Sequence, residues 1–262
     1  MKKTLLSYTT LAIFIFAVVG ASYYLFAPPT IGDFEPDKIL PKAITEELPK
    51  DTQENVQEEV KESSATHQPT QVSLAVPYVN EAPDGNWTGP WKNACEEAAI
   101  VMVERFYKGQ TAVTVADAKA ALRRLFAVQD DRWGSNANSD AARTAEIANS
   151  LSLFKATVVT EPTLEDIKKE LAAKRPVITL HKGFDLGNKN IPFLPTGSSY
   201  HVLVLIGYDE VSQEFITHDD GDEKAGKGRR YPYSTVMNSM HDYNYKTNLT
   251  DGPARALFTA PQ

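Results

Sequence analysis

Asn93-Ala94-Cys95-Glu96-Glu97-Ala98-Ala99-Ile100-Val101-Met102-Val103-Glu104-Arg105-Phe106 is the stretch on which the reading of this chain turns. Ala98, Ala99, Met102, Val103 and Phe106 recur at helical spacing and form an apolar stripe. Asn93 reads as the N-cap, Glu96 three residues later completes a capping box, and Gly109 ends the helix. Cys95 then falls in the first turn. Free backbone N–H groups and the helix dipole favour an anion there and lower a thiol's pKa. The same N–H groups suit a developing oxyanion. Glu96 and Glu97 would oppose a thiolate and are read as helix-cap and surface groups that point away from it.

Cys95 is the single cysteine in 262 residues. That excludes an intramolecular disulfide and any multi-cysteine zinc or iron–sulfur site. A lone cysteine is most often a small buried hydrophobe. Two features raise the nucleophile reading above that background. Cys95 follows an irregular loop marked by Pro83, Gly85, Gly89 and Pro90, and a plausible base lies downstream.

That base is His201, at the start of the most apolar strand in the chain and after the small residues Gly197-Ser198-Ser199. Residues 201–208 and 214–218 read as the two strands of a hairpin, with Asp219 ending the second. Adjacent antiparallel strands can set a carboxylate beside an imidazole, fixing its tautomer and stabilising its charge. His181, directly after an apolar strand, is the rival base. His218 alternates to the face opposite Asp219, His241 falls on the last predicted helix, and His67 precedes the folded region. His218, Asp219, Asp220 and Asp222 offer metal-ligand chemistry, but their spacing does not match a calcium-binding EF-hand loop. No metal and no cofactor are expected.

Around these residues the pattern predicts a strand over 72–78, helices over 114–128, 139–151 and 163–174, and strands over 156–160 and 176–180. A long loop over 181–199, a last helix over 234–243 and a last strand over 256–260 complete it. Thr163 with Asp166 is a helix-start signature. Helices cluster early and strands late, so the fold class is α+β with helices packed on an antiparallel sheet.

Upstream the character changes. Residues 5–26 are a mostly apolar run of 22 positions behind Lys2 and Lys3. As a helix this run is roughly 33 Å long, enough to span a bilayer. The lysines predict that everything after it lies outside the cytoplasm. Its length favours an uncleaved anchor over a cleaved signal peptide, for which Val19-Gly20-Ala21 would supply the small residues. Residues 28–71 are proline-interrupted and nearly free of aromatics. Asp33 to Glu62 holds ten acidic residues against four lysines, most of the net charge of −7. Such a segment reads as an acidic tether. The predicted organisation is an anchor or signal over 1–27, a linker over 28–71 and one folded domain over 72–262. The charge argues against nucleic-acid binding through a broad basic face.

Three blocks in this order resemble the peptidase family 39-like cysteine peptidases, papain-like enzymes related to bacteriocin-leader-processing peptidases. They are Val76-Pro77-Tyr78 with Asn93-Ala94-Cys95-Glu96-Glu97-Ala98-Ala99; Arg175-Pro176-Val177-Ile178 with Tyr200-His201-Val202-Leu203-Val204-Leu205-Ile206-Gly207-Tyr208-Asp209; and Phe215-Ile216-Thr217-His218-Asp219. The resemblance implies a papain-like fold and cleavage of peptides or proteins. It implies Cys95 as nucleophile, His201 as general base and Asp219 as orienting acid. Relatives usually carry a glutamine before the nucleophile that donates to the oxyanion. Glu81 stands there, and an ionised carboxylate cannot donate, so Asn80, Asn86 and Asn93 join Glu81 as oxyanion-site candidates. Glu96 also replaces the glycine that follows the nucleophile in many relatives. An inactive peptide-binding module, or a transpeptidase or acyltransferase using the same triad, is the alternative implied by this departure and this chemistry.

Overall fold

The structure is a computed structural model and describes residues 68–151, 153–187 and 199–262. The predicted anchor and all but the last residues of the predicted linker lie outside them. Among the described residues no helix is long and apolar enough to cross a membrane.

The described chain begins with strand β1 (Gln71–Ser73) and a 3₁₀ turn at Gly89–Asn93. Helices α1 (Cys95–Tyr107), α2 (Val115–Trp133) and α3 (Ala141–Ser150) follow. Then come β2 (Lys155–Thr160), α4 (Leu164–Ala172), β3 (Val177–His181), a 3₁₀ turn (Gly183–Leu186), β4 (His201–Asp209) and β5 (Glu214–Asp219). A short α5 (Glu223–Gly226), β6 (Lys227–Pro232), α6 (Tyr233–Ser239) and β7 (Arg255–Ala260) complete it. The strands form one antiparallel sheet in the order β2-β7-β3-β4-β5-β6. β1 pairs with residues 207–209 at the far end of β4.

Alternation along β4 builds two cores. Val202, Val204 and Ile206 pack with Ile178, Leu180 and Leu257 under α1, α2 and α3. Leu203 and Leu205 join Ile167, Leu171, Phe215 and Val236 on the other side, beneath α4 and α6. Helix α1 is the heart of the first core, with every residue from Cys95 to Glu104 buried. Full burial of Ile100, Val101, Met102 and Val103 contributes about 1.5–3 kcal/mol each. Glu104 is tolerated at 0% exposure because Lys108 (2.7 Å) and Arg124 (3.1 Å) pair with it, tying α1 to α2.

Several expectations are corrected. Asn93 does not cap α1: Pro90 initiates the 3₁₀ turn, Asn93 ends it, and Ala94 takes the cap position with no side-chain hydrogen bond. Glu96 and Glu97 do not point outward; both are 1% exposed. Strand β1 is shorter than predicted: the Leu74 N–H still reaches Ile206 O at 2.7 Å, but the Val76 N–H turns back onto Leu74 O at 2.9 Å and pairing with β4 ends there. Helix α2 runs on to Trp133 and ends at Gly134 in the left-handed conformation. Helix α6 stops at Ser239, since Met240 bridges to His181, so His241 lies beyond it. β6 and α5 were not anticipated. The Thr163–Asp166 capping box is present in both directions.

Candidate active site

Two strand ends and one helix start make the site. Because β4 and β5 run antiparallel, the first residue of β4 and the last of β5 lie at the same end of the sheet. Asp219 pairs in register with Leu203, so His201 is its diagonal neighbour on the same face. His201 Nε2 donates to Asp219 Oδ1 at 2.9 Å. Tyr231 donates to Asp219 Oδ2 at 2.6 Å, and Tyr78 donates to the Asp219 carbonyl oxygen at 3.0 Å. Coulomb attraction from His201, with the two bonds to the carboxylate, holds the Asp219 carboxyl down at about 2 against the burial that would raise it. Burial opposes the charged His201 ring, but the Asp219 carboxylate outweighs it and raises the imidazole above its ordinary value. With Nε2 engaged, Nδ1 is the basic atom of the neutral ring.

Cys95 is buried at the start of α1. Its Sγ donates to Glu96 Oε2 at 3.2 Å, and no hydrogen bond joins it to His201 among the described residues. The Ser139 N–H donates to Glu96 Oε1, and Tyr200 donates to the Ser139 carbonyl at 2.6 Å. This relay runs from the thiol to the residue preceding His201. Burial pushes the thiol's pKa well up, and Glu96, Glu81 and Asp220 push it the same way. The dipole advantage expected at a helix start is therefore outweighed by burial and by the carboxyls packed against the sulfur.

Those carboxyls define the site's electrostatics. Glu81, Glu96, Glu97, Asp219 and Asp220 are all buried. Asp220 has no hydrogen-bond partner on either oxygen and lies 3.7 Å from His201 Nε2. Burial raises Glu81 and Glu96 to about 7, with His201 pulling both the other way. Burial and neighbouring carboxylates raise Asp220 and Glu97 further. Burial thus prevails and favours the protonated form at four of the five acids, and Asp219 is the exception.

The oxyanion candidates separate cleanly. Asn86 is exposed and folds back to accept from Thr88. Asn80 Oδ1 is taken by the Ala82 N–H at 2.7 Å. Asn93 is half-buried at the end of the 3₁₀ turn. Glu81 alone is buried among the site residues, with its backbone N–H bonded to the Asp220 carbonyl at 3.2 Å. The rival base His181 is locked between Ser239 (2.9 Å) and Thr179 (2.7 Å), and burial lowers it to about 3. His218 bonds Val76 O and the Gly228 N–H on the opposite face, as alternation predicted.

Asp222 caps α5, so the four-residue metal set considered from sequence is not assembled. His201, Asp219 and Asp220 do bring three ligand-type atoms within 4.8 Å of one another. Both Asp219 oxygens are already occupied by His201 and Tyr231, so the arrangement reads as an oriented imidazole–carboxylate pair.

Sequence reasoning missed Glu96 as the thiol's partner, Asp220 as a buried acid beside His201, and Tyr231 as a donor to Asp219. Of these only the Asp219-Asp220 doublet at a strand end carried a local signal. Trp91 is buried against Phe126, and the partly buried Trp87 and Trp133 pack against the first core.

A cysteine at a helix start and a carboxylate-oriented histidine at a strand end, on a helix-covered antiparallel sheet, define the thiol-hydrolase class. The chain belongs to the Peptidase_C39 like family, whose model matches residues 73–250, and it is a cysteine peptidase by that membership. Among solved structures, a C39-like peptidase from Bacillus anthracis is 14% identical, with a TM-score of 0.47 over 73% of this chain and 98% of that one. Xylellain, a cysteine protease from Xylella fastidiosa, is 13% identical, with a TM-score of 0.37 over 75% of this chain and 88% of that one. No curated protein matches.

Proposed function

We propose that this cysteine peptidase hydrolyses peptide bonds with Cys95 as nucleophile, His201 as general base and acid, and Asp219 as the group that orients the imidazole. The observation that carries the reading is the Nε2–Oδ1 bond of 2.9 Å between His201 and Asp219. It fixes the tautomer so that Nδ1 is the atom able to take the thiol proton. Family membership supports a peptide or protein substrate.

In the first step Cys95 Sγ bonds to the peptide carbonyl carbon as its proton passes to His201 Nδ1. The carbonyl π pair moves onto oxygen, where the Cys95 backbone N–H is a donor. Collapse breaks the C–N bond, and His201 returns the proton to the leaving amine. Water, deprotonated by His201, then hydrolyses the thioester and frees Cys95. Cys95 and His201 are not hydrogen-bonded at rest, and such pairs commonly tighten only when substrate binds.

We further propose that residues 5–26 tether the domain to the outer side of the cell membrane, on the strength of their apolar length behind Lys2 and Lys3.

The test is turnover of a peptide pool by the full chain in H₂¹⁸O, with Cys95→Ala as control. One heavy oxygen per new carboxyl, absent from the control, is expected. Products joined to an added amine would mark an acyltransferase, and no product at all would mark a peptide-binding module. Mass spectrometry of the mature N-terminus decides the tether: a chain beginning at Ser22 would overturn it.

A further inference from the structure

Glu81 is 5% exposed and stands where its charge acts on both reacting groups, Cys95 and His201. Its backbone N–H is pinned to the Asp220 carbonyl. The N–H of Ala94, immediately before Cys95, is close enough to its carboxyl to favour ionisation. A carboxylate held there would face the oxyanion formed when Cys95 attacks a carbonyl, and two negative charges would oppose each other. A carboxylic acid in the same place is a hydrogen-bond donor. Building on the peptidase reading above, we propose that protonated Glu81 donates its O–H to the oxyanion as the second donor beside the Cys95 N–H. The enzyme then works while this carboxyl keeps its proton and is switched off as it ionises.

The surroundings favour the proton. Facing Glu81 are Tyr78 from the preceding segment, Cys95, Glu96 and Glu97 from α1, His201 from β4, and Asp219 and Asp220 from the end of β5. His201 is the only cation among them. Burial is the largest influence on Glu81 and sets its titration at about 7; Glu96 and Asp219 push it up, and His201 and the Ala94 N–H push it down. Losing the negative charge on Glu81 also removes one of the groups that raise the Cys95 thiol. A single proton thus supplies a donor and eases thiolate formation. No proton is transferred from Glu81 in the step: its O–H bond persists, the carbonyl π pair moves to oxygen, and the thiol proton goes to His201 Nδ1.

The experiment compares wild type, Glu81→Gln and Glu81→Ala, as full chains in detergent. Peptide kcat/KM is measured from pH 5 to 9, alongside the rate of Cys95 alkylation by iodoacetamide. Alkylation is a displacement at carbon and uses no oxyanion site. Wild-type turnover should fall as pH rises through about 7, while alkylation keeps rising. Glu81→Gln, whose amide donates at every pH, should lose that fall and exceed wild type at pH 8.5 by about 10-fold or more. Glu81→Ala should be about 100-fold slower than wild type at pH 6.

A Glu81→Gln profile that superimposes on wild type would overturn the proposal, as would a loss at pH 6 equal to that of Glu81→Ala. If every variant is alkylated and none turns over, the peptidase reading itself fails. Should the variants not fold, wild type alone decides: a peptide aldehyde, whose adduct oxygen fills the same site, should bind more weakly above pH 7. Binding independent of pH would overturn the proposal.

Discussion

Gly226 Cα lies so close to the Asp219 carbonyl that a Cβ built on it would sit 1.8 Å from that oxygen and 3.3 Å from Asp219 Cβ. The glycine ends α5, directly after the strand whose last residue orients His201. Its missing side chain lets the returning chain cross the back of Asp219.

Gly226→Ala should therefore displace the Asp219 backbone and cost activity beyond its cost in stability. Gly207→Ala provides the contrast. Its Cβ would meet Val72 O at 2.1 Å, but at the far end of β4, about 20 Å along the strand from His201. Both variants should lose roughly 1–3 kcal/mol of stability by overpacking. Below their melting temperatures Gly207→Ala should keep wild-type kcat, whereas Gly226→Ala should lose about 10-fold or more. Equal kcat in the two would show that Asp219 needs no such support.

Tyr231→Phe removes the donor to Asp219 Oδ2 and leaves the His201 bond in place. A buried carboxylate that loses one hydrogen bond costs about 1–3 kcal/mol. The Asp219 carboxyl should titrate above its present value of about 2 yet stay ionised at neutral pH, and without the tyrosine sharing its charge its hold on the His201 imidazolium should tighten. Denaturant melts should show the stability loss. NMR titration of the His201 ring should show its pKa moving up; an unmoved ring would place Tyr231 outside the orienting network.

Stability should fall as pH rises from 5 to 8, opposite to a protein whose buried acids are paired. Glu81 and Glu96 titrate at about 7 in the folded chain against an ordinary 4.5, and Glu97 and Asp220 are also raised well above their ordinary values. Each binds its proton more tightly folded than unfolded, so its stabilisation is complete below about 4.5 and is lost as pH climbs through its folded value. His201, also raised, acts in the same direction. His181 and His218 are lowered, lose stabilisation as pH falls below 6.5, and offset part of this. The four acids outnumber the two opposing imidazoles, so the net effect is greater stability and a higher melting temperature at pH 5 than at pH 8. Calorimetry at the two pH values checks the sign, and Glu81→Gln should narrow the gap. Asp219 contributes the usual opposite limb, lost only as pH falls from about 4 through 2.

The sequence made the periodic elements legible and hid what depends on packing. The apolar stripe of α1, the alternation that sends Val202 and Leu203 to opposite cores, and the Thr163–Asp166 box are local patterns, and each appears where it was read. The pairing of His201 with Asp219 was also readable, because a hairpin brings the two strand ends together. Burial of Glu96 and Glu97 was not. At a helix start acids usually face water, and only the fit of α1 against β4 and Ser139 encloses these two. Strand β6 escaped because Lys227, Arg229 and Arg230 make it polar, as sheet-edge strands often are. Tyr231, the residue that completes the hold on Asp219, was missed with it.

If Cys95 attacks a carbonyl with His201 as its base, an activated thiol should be captured by a peptide-directed electrophile. The most direct measurement is the intact mass of the full chain after incubation with a peptidyl acyloxymethyl ketone, which leaves a stable thioether on an activated thiol as its carboxylate departs, followed by mapping of the adduct. One adduct per chain on Cys95 is expected, with none in Cys95→Ala and at least about 100-fold slower formation in His201→Ala. Formation as fast without His201, or no adduct on Cys95 in the wild type at pH 6, would contradict it.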